Sequence, residues 1–404
     1  MLVGFSAAVT PALWCHAQCA EYAVEIFAGP ACSVLPSWAG ARGISNTGSI
    51  CGGYVDCAEV GHHVIWTADG RIIELPPSAD GGIPGSPFKI NSAGQVVGRM
   101  NVPGLSPPDR AFLYADGVTQ NLGTLLGGNY SEAAAINASG TVCGYSTGVG
   151  QPLTAFVWQD GTMSALNLPF GTDSVANDIS DTGEVCGWMG DLPWLAHGYI
   201  WSASRVIDLG AVLPGANGAS ATGLNNSGNV CGYSLYGDPS EPIMRRGFFW
   251  TNGTVLDLGI LPGFTTATPT RLNDFNVIVG SCNSFPISGL TSAFVWQNGI
   301  MQDLNDLVPP ELNLNIDSAY DINNAGQIVA QALRRGPKGT DTVAVRLTPI
   351  PKLLGDFNCD RIINVDDLIG VISHWNFTTP NLDFDGSGTV GVGDLLIVLD
   401  NWTL

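Results

Sequence analysis

The sequence has little charge, and little of that charge is positive. Asp, Glu, Lys and Arg make up only 12% of its 404 residues, and 35 acidic residues against 15 basic ones give a formal net charge of -20. A surface of this sign repels phosphate backbones and anionic membranes, so we expect no nucleic-acid partner. The same charge favours solubility and the binding of cations.

Long apolar runs are missing after the first twenty residues. No later stretch stays apolar over the roughly 18 residues that a membrane helix requires, and we therefore predict no membrane span. Residues 1–20 themselves have the form of an export signal, because an apolar stretch from Leu2 to Trp14 is followed by small residues. We expect this segment to be removed and the protein to be extracellular or attached to a cell surface.

Familiar catalytic motifs are missing as well. The sequence contains no Gly-rich phosphate loop, no Ser-His-Asp set and no zinc-ligand spacing. Cys32 and Cys57 are candidates for a disulfide, although spacing alone does not show that they meet. Four other cysteines occupy one position of an internal repeat where other copies have valine, and we interpret them as buried apolar residues. They are Cys51, Cys143, Cys186 and Cys231, against Val97, Val279 and Val329.

The chain is rich in glycine and proline, and it repeats itself about every 45 residues. Each copy has an Ile or Leu followed by Asn or Ser and a turn, a Val/Ile-rich strand ending in Gly, an aromatic strand, an Asx-Gly turn and a strand closing on Leu. The copies start at Ile44, Ile90, Ile136, Ile179, Leu224, Leu272 and Ile322. This pattern predicts an all-β fold, a seven-bladed β-propeller of four-stranded blades over residues 21–347, with an open solenoid as the alternative.

Two details of the repeat bear on closure and on ligand binding. The last copy has no fourth strand, whereas Tyr22–Ile26 is an orphan strand before the first copy, and pairing the two would close the ring and remove exposed edges. Five copies have Asn after their first residue, and we interpret these side chains as caps of their own turns rather than as a ligand ring. They are Asn91, Asn137, Asn225, Asn273 and Asn323.

Over about residues 40–347 the repeats resemble the HAF family of extracellular repeats, named for a His-Ala-Phe run before the aromatic strand. His62 and His197 keep the histidine of that run. The other copies replace it with Arg110, Thr154, Arg246 and Ser292. The resemblance implies export and a propeller-like architecture, and it implies no established activity.

The C-terminal part of the chain predicts two calcium sites. After a linker at residues 348–354, residues 355–404 contain two loop-helix units, with helices expected at Asp367–Trp375 and Leu395–Trp402. Calcium takes six to eight oxygen ligands, and loops of this kind supply them from positions 1, 3, 5, 7, 9 and 12. The first loop offers Asp356, Asn358, Asp360, the carbonyl of Ile362, Asn364 and Asp367. The second offers Asp383, Asp385, Ser387, the carbonyl of Thr389, and Asp394.

Residues 355–403 resemble the type I dockerin module, which implies calcium binding and the docking of a cohesin-like partner. Arg361 replaces the glycine expected at position 6, so we expect roughly 1 kcal/mol of backbone strain and a weaker first site. Val365-Asp366 and Val392-Gly393 stand where dockerins choose their cohesin, and no specificity follows from them. The alternative is a pair of acidic turns without metal.

Four acidic residues precede the closing Leu of a fourth strand: Glu74, Asp208, Asp257 and Asp303. Paired carboxylates can act as acid and base on sugars, but strand alternation predicts that these face solvent. His62 and His63 are expected at the surface or in a turn. We favour a non-catalytic propeller that binds a glycan or protein and is anchored to an extracellular assembly. A glycoside hydrolase or polysaccharide lyase and a structural adhesion protein are the alternatives.

Overall fold

The structure, a computed structural model, describes residues 21–28, 38–237, 243–284, 289–336, 339–351, 353–356, 362–378 and 383–403. The chain forms two compact units. One is Tyr22–Pro349, and the described residues of the other are Glu21 and those from Ile350 onward. No helix of the described residues has the length and hydropathy of a bilayer span.

The described residues of the larger unit lie mostly in short strands. The first half of the unit contains β1 (Tyr22–Phe27), β2 (Trp38–Ile44), β3 (Ile50–Val55), β4 (Gly61–Trp66), β5 (Ile72–Glu74), β6 (Ile83–Ile90), β7 (Val96–Asn101), β8 (Asp109–Ala115), β9 (Val118–Gly123), β10 (Tyr130–Ile136), β11 (Val142–Thr147), β12 (Thr154–Gln159), β13 (Thr162–Ala165) and β14 (Asp173–Ile179). The second half contains β15 (Val185–Gly190), β16 (His197–Ser202), β17 (Arg205–Gly210), β18 (Gly218–Leu224), β19 (Val230–Tyr236), β20 (Met244–Thr251), β21 (Thr254–Asp257), β22 (Thr266–Leu272), β23 (Ile278–Asn283), β24 (Thr291–Gln297), β25 (Ile300–Asp303), β26 (Leu314–Ile322), β27 (Ile328–Gly336) and β28 (Gly339–Pro349). Three 3-10 turns lie at Pro193–Leu195, Leu304–Leu307 and Pro310–Leu312.

Four consecutive strands form one antiparallel sheet in five of the repeats. These sheets are β6–β9, β10–β13, β14–β17, β18–β21 and β22–β25, each with its strands in sequence order. The alternation of strand and tight turn fixes this order, because antiparallel neighbours need only short connections. The prediction of four strands per copy is confirmed for these five.

The sixth sheet has eight strands and joins the two ends of the unit. Strands β2–β5 follow one another as in the other repeats, and β26, β27 and β28 do the same. Strand β1 pairs antiparallel with β28, from Tyr22 opposite Pro349 to Phe27 opposite Ala344. One parallel pair, Trp38 with Thr342, connects β28 to β2. The predicted pairing of the orphan strand with the last copy is confirmed.

The first strands of the repeats surround a common axis. Strands β2, β6, β10, β14, β18, β22 and β26 each contact the next in this order, and β26 also contacts β2. A linear stack would leave its first and last units apart, so the open solenoid is wrong. The larger unit is a β-propeller.

Aromatic rings from the third strands fill the space between neighbouring sheets. Phe112, Phe156, Tyr199, Phe248 and Phe294 are among the largest fully buried side chains. Phe156, for example, packs with Val97 and Leu113 of the preceding sheet. Burial of each such ring stabilises the fold by about 1.5–3 kcal/mol. The aromatic strand of the repeat therefore supplies the main contacts between neighbouring sheets.

The repeated cysteines are part of this core. Cys51, Cys143, Cys186 and Cys231 are fully buried, as are Val97, Val279 and Val329 at the same position. Burial raises the pKa of the Cys51 thiol to about 12, so it stays protonated at neutral pH. The prediction that they are buried apolar residues is confirmed. Cys57 is in a disulfide, while Cys32 lies outside the described residues.

Asparagine side chains cap the turns after the first strands and also form hydrogen bonds between neighbouring repeats. Asn91 Oδ1 accepts from Gln95 N at 3.0 Å, and its Nδ2 donates to Asn137 O of the next unit at 3.0 Å. The same two bonds are made by Asn137, Asn225, Asn273 and Asn323. The predicted capping role is confirmed, and the bond between units is an additional finding.

Two buried acidic residues connect neighbouring repeats of the propeller around the axis, where a unit of the propeller means one repeat. Asp321, on β26, accepts from Ile44 N at 2.9 Å and from Lys89 Nζ at 2.6 Å, so one carboxylate joins three units. Asp178 repeats the arrangement on β14. It accepts from Leu224 N at 3.1 Å and lies 3.8 Å from Arg271 Nε.

Glycine lies between the acid and the cation in both sets. In the repeat that lies between the acid and the cation, the same position is occupied by Gly43 in one set and by Gly223 in the other. A Cβ on Gly43 would lie 2.8 Å from Phe88 O, and one on Gly223 would lie 3.0 Å from Arg271 Cα. Because glycine has no Cβ, the acid and the cation reach each other past this position.

The smaller unit contains two helices among its described residues, α1 (Val365–Ser373) and α2 (Val392–Asp400). Both begin and end two or three residues earlier than predicted. The reason is that Asp367 and Asp394 are the third residues of their helices, where each carboxylate accepts from the backbone N–H three residues before it. The sequence analysis had placed the helix start at or after these carboxylates.

The core of the smaller unit is built twice from the same positions. Ile363, Val371, Val390 and Val398 are buried together. The last two follow the first two after 27 residues, which is the spacing of the two loops. The two loop-helix units therefore pack through equivalent residues.

We predict that Asp321→Asn destabilises the propeller by about 3–5 kcal/mol, because it leaves Lys89 buried without its carboxylate. Urea unfolding of the full chain at neutral pH measures this effect. The double variant Asp321→Asn/Lys89→Met removes the orphaned charge and should recover most of the loss. Equal stability of the single variant and the parent would contradict the assignment.

Candidate functional site

The second acidic loop brings three carboxylates to one point. Oxygens of Asp383, Asp385 and Asp394 lie within 4.8 Å of one another. Asp394 is fully buried, and residues 383–404 contain no Lys or Arg. Three negative charges at this distance repel one another unless a cation lies between them.

The backbone of this loop wraps around Asp383. Its Oδ1 accepts from Ser387 N at 2.8 Å and its Oδ2 from Gly388 N at 2.7 Å. Gly388 has φ of 94°, the left-handed conformation expected at position 6. The Ser387 hydroxyl donates to Thr389 O at 3.0 Å. Four of the five residues predicted from this loop thus lie in or next to one turn, and the fifth, Asp394, reaches it from the start of α2.

The first loop is described only in part. Asn358, Asp360 and Arg361 lie outside the described residues, and Asp356, Ile362, Asn364 and Asp367 lie within them. Asp367 is fully buried and accepts from Asn364 N at 2.9 Å, as Asp394 does from Gly391 N at 2.7 Å. The Asn364 side chain, predicted at position 9, accepts from Asp366 N at 2.7 Å and so caps α1.

Each helix of the smaller unit exposes a row of apolar side chains. On α1 and α2 the rows are Val365, Ile369 and Ile372, and Val392, Leu396 and Leu399, all between 45% and 61% exposed. Every member of the first row has its counterpart 27 residues later. The duplication therefore presents two similar apolar faces, which the sequence analysis did not identify.

The propeller has a second candidate site at its axis. All seven first strands contain a one-residue β-bulge, which comes directly before the position that Asp178 and Asp321 occupy in their own strands. The bulged residues are Arg42, Phe88, Ala134, Asn177, Thr222, Thr270 and Tyr320. Bulges redirect side chains out of the regular alternation. All seven residues line a cavity of about 270 Å³.

The two sides of this axial cavity differ in chemistry. On one side the exposed guanidinium of Arg42 stacks 4.4 Å from the centroid of the Tyr320 ring, next to Phe88. On the other side lie Asn177 and the threonines. This site was not predicted from the sequence, although one signal is present there: the bulge position carries a different type of residue in most copies.

A carboxyl group also lines the axial cavity. Glu132 accepts from the Tyr130 hydroxyl at 3.0 Å and lies 3.9 Å from Arg99. Burial raises the pKa of this carboxyl, because the charged form loses hydration. Glu132 is one carboxyl group among the described residues that line the cavity, and they include no second one. Acid–base hydrolysis of glycosides uses two carboxyl groups.

The four acidic residues considered for catalysis lie away from this axis. They are on the fourth strands or at their ends, opposite the aromatic strand, whereas the axis is lined by first strands. Glu74, Asp208 and Asp257 are exposed and Asp303 is half-buried. The expected solvent-facing position is confirmed for the first three. Asp303 instead accepts from Asn305 N at 2.9 Å and caps a 3-10 turn.

These acids pair with the residues at the histidine position of the repeat. His62 Nδ1 lies 2.6 Å from Glu74, and His197 Nδ1 lies 3.0 Å from Asp208. Arg246 and Ser292 make the equivalent contacts with Asp257 and Asp303, at 2.7 Å each. The residue at the histidine position of the third strand and the acid of the fourth strand therefore form one contact that recurs in four repeats.

His62 and His63, which were expected at the surface or in a turn, lie in a strand instead of a turn. Both lie in β4 and are half-buried. His62 also contacts Asp56 at 3.2 Å, and the hydrogen bonds that its ring makes to Glu74 and Asp56 raise its pKa. Burial lowers the pKa of His63, whose Nδ1 has no partner among the described residues.

Comparisons with known proteins give no family for this chain. No family model matches, and no curated protein matches. Among solved structures, the β-propeller domain of the trilobed protease from Pyrococcus furiosus is 10% identical, covers 77% of this chain and 95% of its own, and gives a TM-score of 0.47. An acylaminoacyl peptidase from Pyrococcus horikoshii is 9% identical, with 76% and 52% covered and a TM-score of 0.46. AofleA from Arthrobotrys oligospora is 10% identical, with 70% and 90% covered and a TM-score of 0.37.

We predict that Glu74→Gln lowers the pKa of His62 toward the ordinary value of about 6.5. Because the folded-state pKa is raised, this contact stabilises the fold fully below the unfolded value, and the effect is lost as pH rises through the folded one. NMR titration of the His62 ring measures the shift. Asp69→Asn, which removes an exposed acid with no bond to His62, should leave the titration unchanged, and an equal shift in both variants would contradict the assignment.

Proposed function

We propose that this chain is an exported, non-catalytic binding propeller whose C-terminal module folds around calcium and attaches it to an extracellular assembly. The observation that carries the proposal is the convergence of Asp383, Asp385 and Asp394. Hard carboxylate and carbonyl oxygens are the ligands that calcium prefers. The disulfide at Cys57 supports an oxidising compartment.

The propeller is proposed to have seven blades over residues 21–347. In this interpretation the eight-stranded sheet is two blades, β2–β5 and β26–β28 with β1, held together by the single parallel pair of β28 and β2. Residues 348–354 are the linker and residues 355–404 the calcium module. The HAF-like repeat and the dockerin-like module remain resemblances that motivate this division.

The proposed ligands of the second calcium ion are Asp383, Asp385, Ser387, the Thr389 carbonyl and Asp394. Those of the first are Asp356, Asn358, Asp360, the Ile362 carbonyl, Asn364 and Asp367. Buried Asp394 provides a fixed charge at the start of α2, while Asp383 and Asp385 close the loop from the other side. The first site is proposed to be weaker because Arg361 stands at position 6, where the second loop has a left-handed glycine.

The attachment is proposed to use the apolar faces of α1 and α2. These rows are exposed in the described part of the chain and are repeated at equivalent positions. Large apolar residues exposed together on a small unit are typical of protein interfaces. The proposed partner is a cohesin-like domain, which either face could engage.

Binding is favoured over glycoside hydrolysis by the placement of the acidic residues. Glu74, Asp208 and Asp257 are engaged in contacts on the outer part of their sheets. A hydrolase requires a pair of carboxyl groups on opposite sides of the same bond. A glycan array read together with a reducing-sugar release assay tests this choice, and sugar release would contradict it.

We predict that the full chain binds two calcium ions and that Asp394→Asn weakens the second site at least about 10-fold, since it removes a buried charge from the ligand set. Isothermal titration after EDTA treatment measures both sites. Asp400→Asn, an exposed residue of α2 outside the loop, is the matched control. Identical titrations for the two variants, or a melting curve of the parent that EDTA does not change, would refute calcium binding at this loop.

We predict that the double variant Ile369→Asp/Leu396→Asp binds a panel of purified cohesin domains at least about 10-fold more weakly than the parent, because charge is placed at the centre of both apolar faces. Either single variant leaves one face intact and should still bind. Phe275→Asp, an equally exposed residue of the propeller, is the control. Calcium titrations must match the parent, and undiminished binding by the double variant would rule out these faces.

A further inference from the structure

The axial cavity has the size and chemistry of a site for one ligand group. Its volume of about 270 Å³ is just below the roughly 300–1,000 Å³ of drug-sized ligand pockets. It therefore suits a single small ring better than an extended peptide. The residue at the floor, Arg271, is already neutralised by Asp178 and fixed by bonds from its Nη1 to Thr222 O and Thr270 O, at 2.6 and 2.9 Å.

Arg42 provides a donor at the entrance. Its guanidinium is exposed and stacks on the Tyr320 ring, and it has no carboxylate partner among the described residues. The contact with the ring uses the cation and not a hydrogen bond to an acid. An arginine without an acidic partner can bind a carboxylate through two parallel hydrogen bonds.

The opposite wall offers mainly acceptors. Asn177 Nδ2 donates to Ala221 O at 2.7 Å, which leaves its Oδ1 to accept. The hydroxyls of Thr222 and Thr270 donate to Pro269 O and Ala319 O, at 2.9 and 2.8 Å, so they also have only acceptor capacity left. Glu132 adds a further acceptor. A ligand at this wall must present several donors, as the hydroxyl groups of a sugar do.

Two aromatic side chains also line the cavity. Tyr320 and Phe88 adjoin Arg42 and offer apolar surface to the C–H face of a sugar ring. A neutral sugar would satisfy the acceptor wall and the rings but would leave Arg42 without a partner. A carboxylate on the same sugar would reach the donor that remains.

We propose that the axial cavity binds a terminal uronic acid, with the carboxylate on Arg42 and the hydroxyl groups on the wall of Asn177 and the threonines. This inference rests on the proposed role of the propeller as a ligand-binding body and names its ligand class. The net charge of -20 does not oppose it, because charges more than about 8 Å away are screened at physiological salt. Of the charged side chains that line the cavity, Arg271 lies 3.8 Å from Asp178 and Glu132 lies 3.9 Å from Arg99, whereas Arg42 has no acidic partner among the described residues.

The test uses the full chain with calcium and four probes: D-glucuronate, D-galacturonate, D-glucose and D-galactose. Isothermal titration should show binding of at least one uronate and binding of its neutral counterpart at least about 10-fold weaker, since hydrogen bonds to charged groups are the stronger ones. Arg42→Gln should reduce the uronate to the level of the neutral sugar. Tyr320→Leu should weaken both.

The chain contains a matched control. Arg245 also stacks on a tyrosine, with its guanidinium 4.8 Å from the centroid of Tyr233, and it does not line the axial cavity. Arg245→Gln should leave all four affinities unchanged. Near-UV circular dichroism and the calcium titration of each variant must match the parent, so that loss of binding is not loss of fold.

Three results would overturn the inference: no uronate binding, equal affinity for the neutral sugars, or uronate binding that Arg42→Gln leaves intact. A glycan array on the same preparation separates these from failure of the proposed function. Array binding that does not depend on Arg42 keeps the propeller as a binding body and moves its ligand elsewhere. An array with no bound glycan counts against that role for glycans as well.

Discussion

The propeller depends on a balance of buried charge at its axis. Asp321 and Asp178 each accept a hydrogen bond from a backbone N–H of the next repeat, and each contacts a cationic side chain of the repeat after that. Such groups are stable away from water only when charge and hydrogen bonds are matched. The arrangement works because the intervening position is glycine in both cases. Each acid thus fixes three units relative to one another.

Most of the architecture could be predicted from the sequence because it depends on local rules repeated several times. A turn that needs left-handed backbone selects Gly, or Asn276 with φ of 61° in one copy, and period-2 alternation identifies the aromatic strands. The orphan strand at Tyr22 could be matched to the last copy by counting strands. The convergence of Asp383, Asp385 and Asp394 in the second acidic loop was predictable for the same reason, since these residues are close together in the chain.

The axial cavity could not be predicted because it depends on register rather than composition. Arg42 and Tyr320 are 278 positions apart in the chain, and they meet only because a bulge turns both side chains toward the axis. Alternation assigns a residue to one face or the other, and a bulge breaks that assignment. The pairing of His62 with Glu74 was missed for a related reason, because each was considered as a separate feature of the repeat.

The pairing of β1 with β28 sets an order of events for the chain. The first strand of the propeller pairs with its last strand, so Tyr22 meets its partner only after Pro349 has been synthesised. The entropic cost of closing so long a loop is only slightly larger than that of a shorter one, but the long-range pairing delays completion of the propeller. Until that pairing forms, the edge of β28 that β1 covers stays open to other strands.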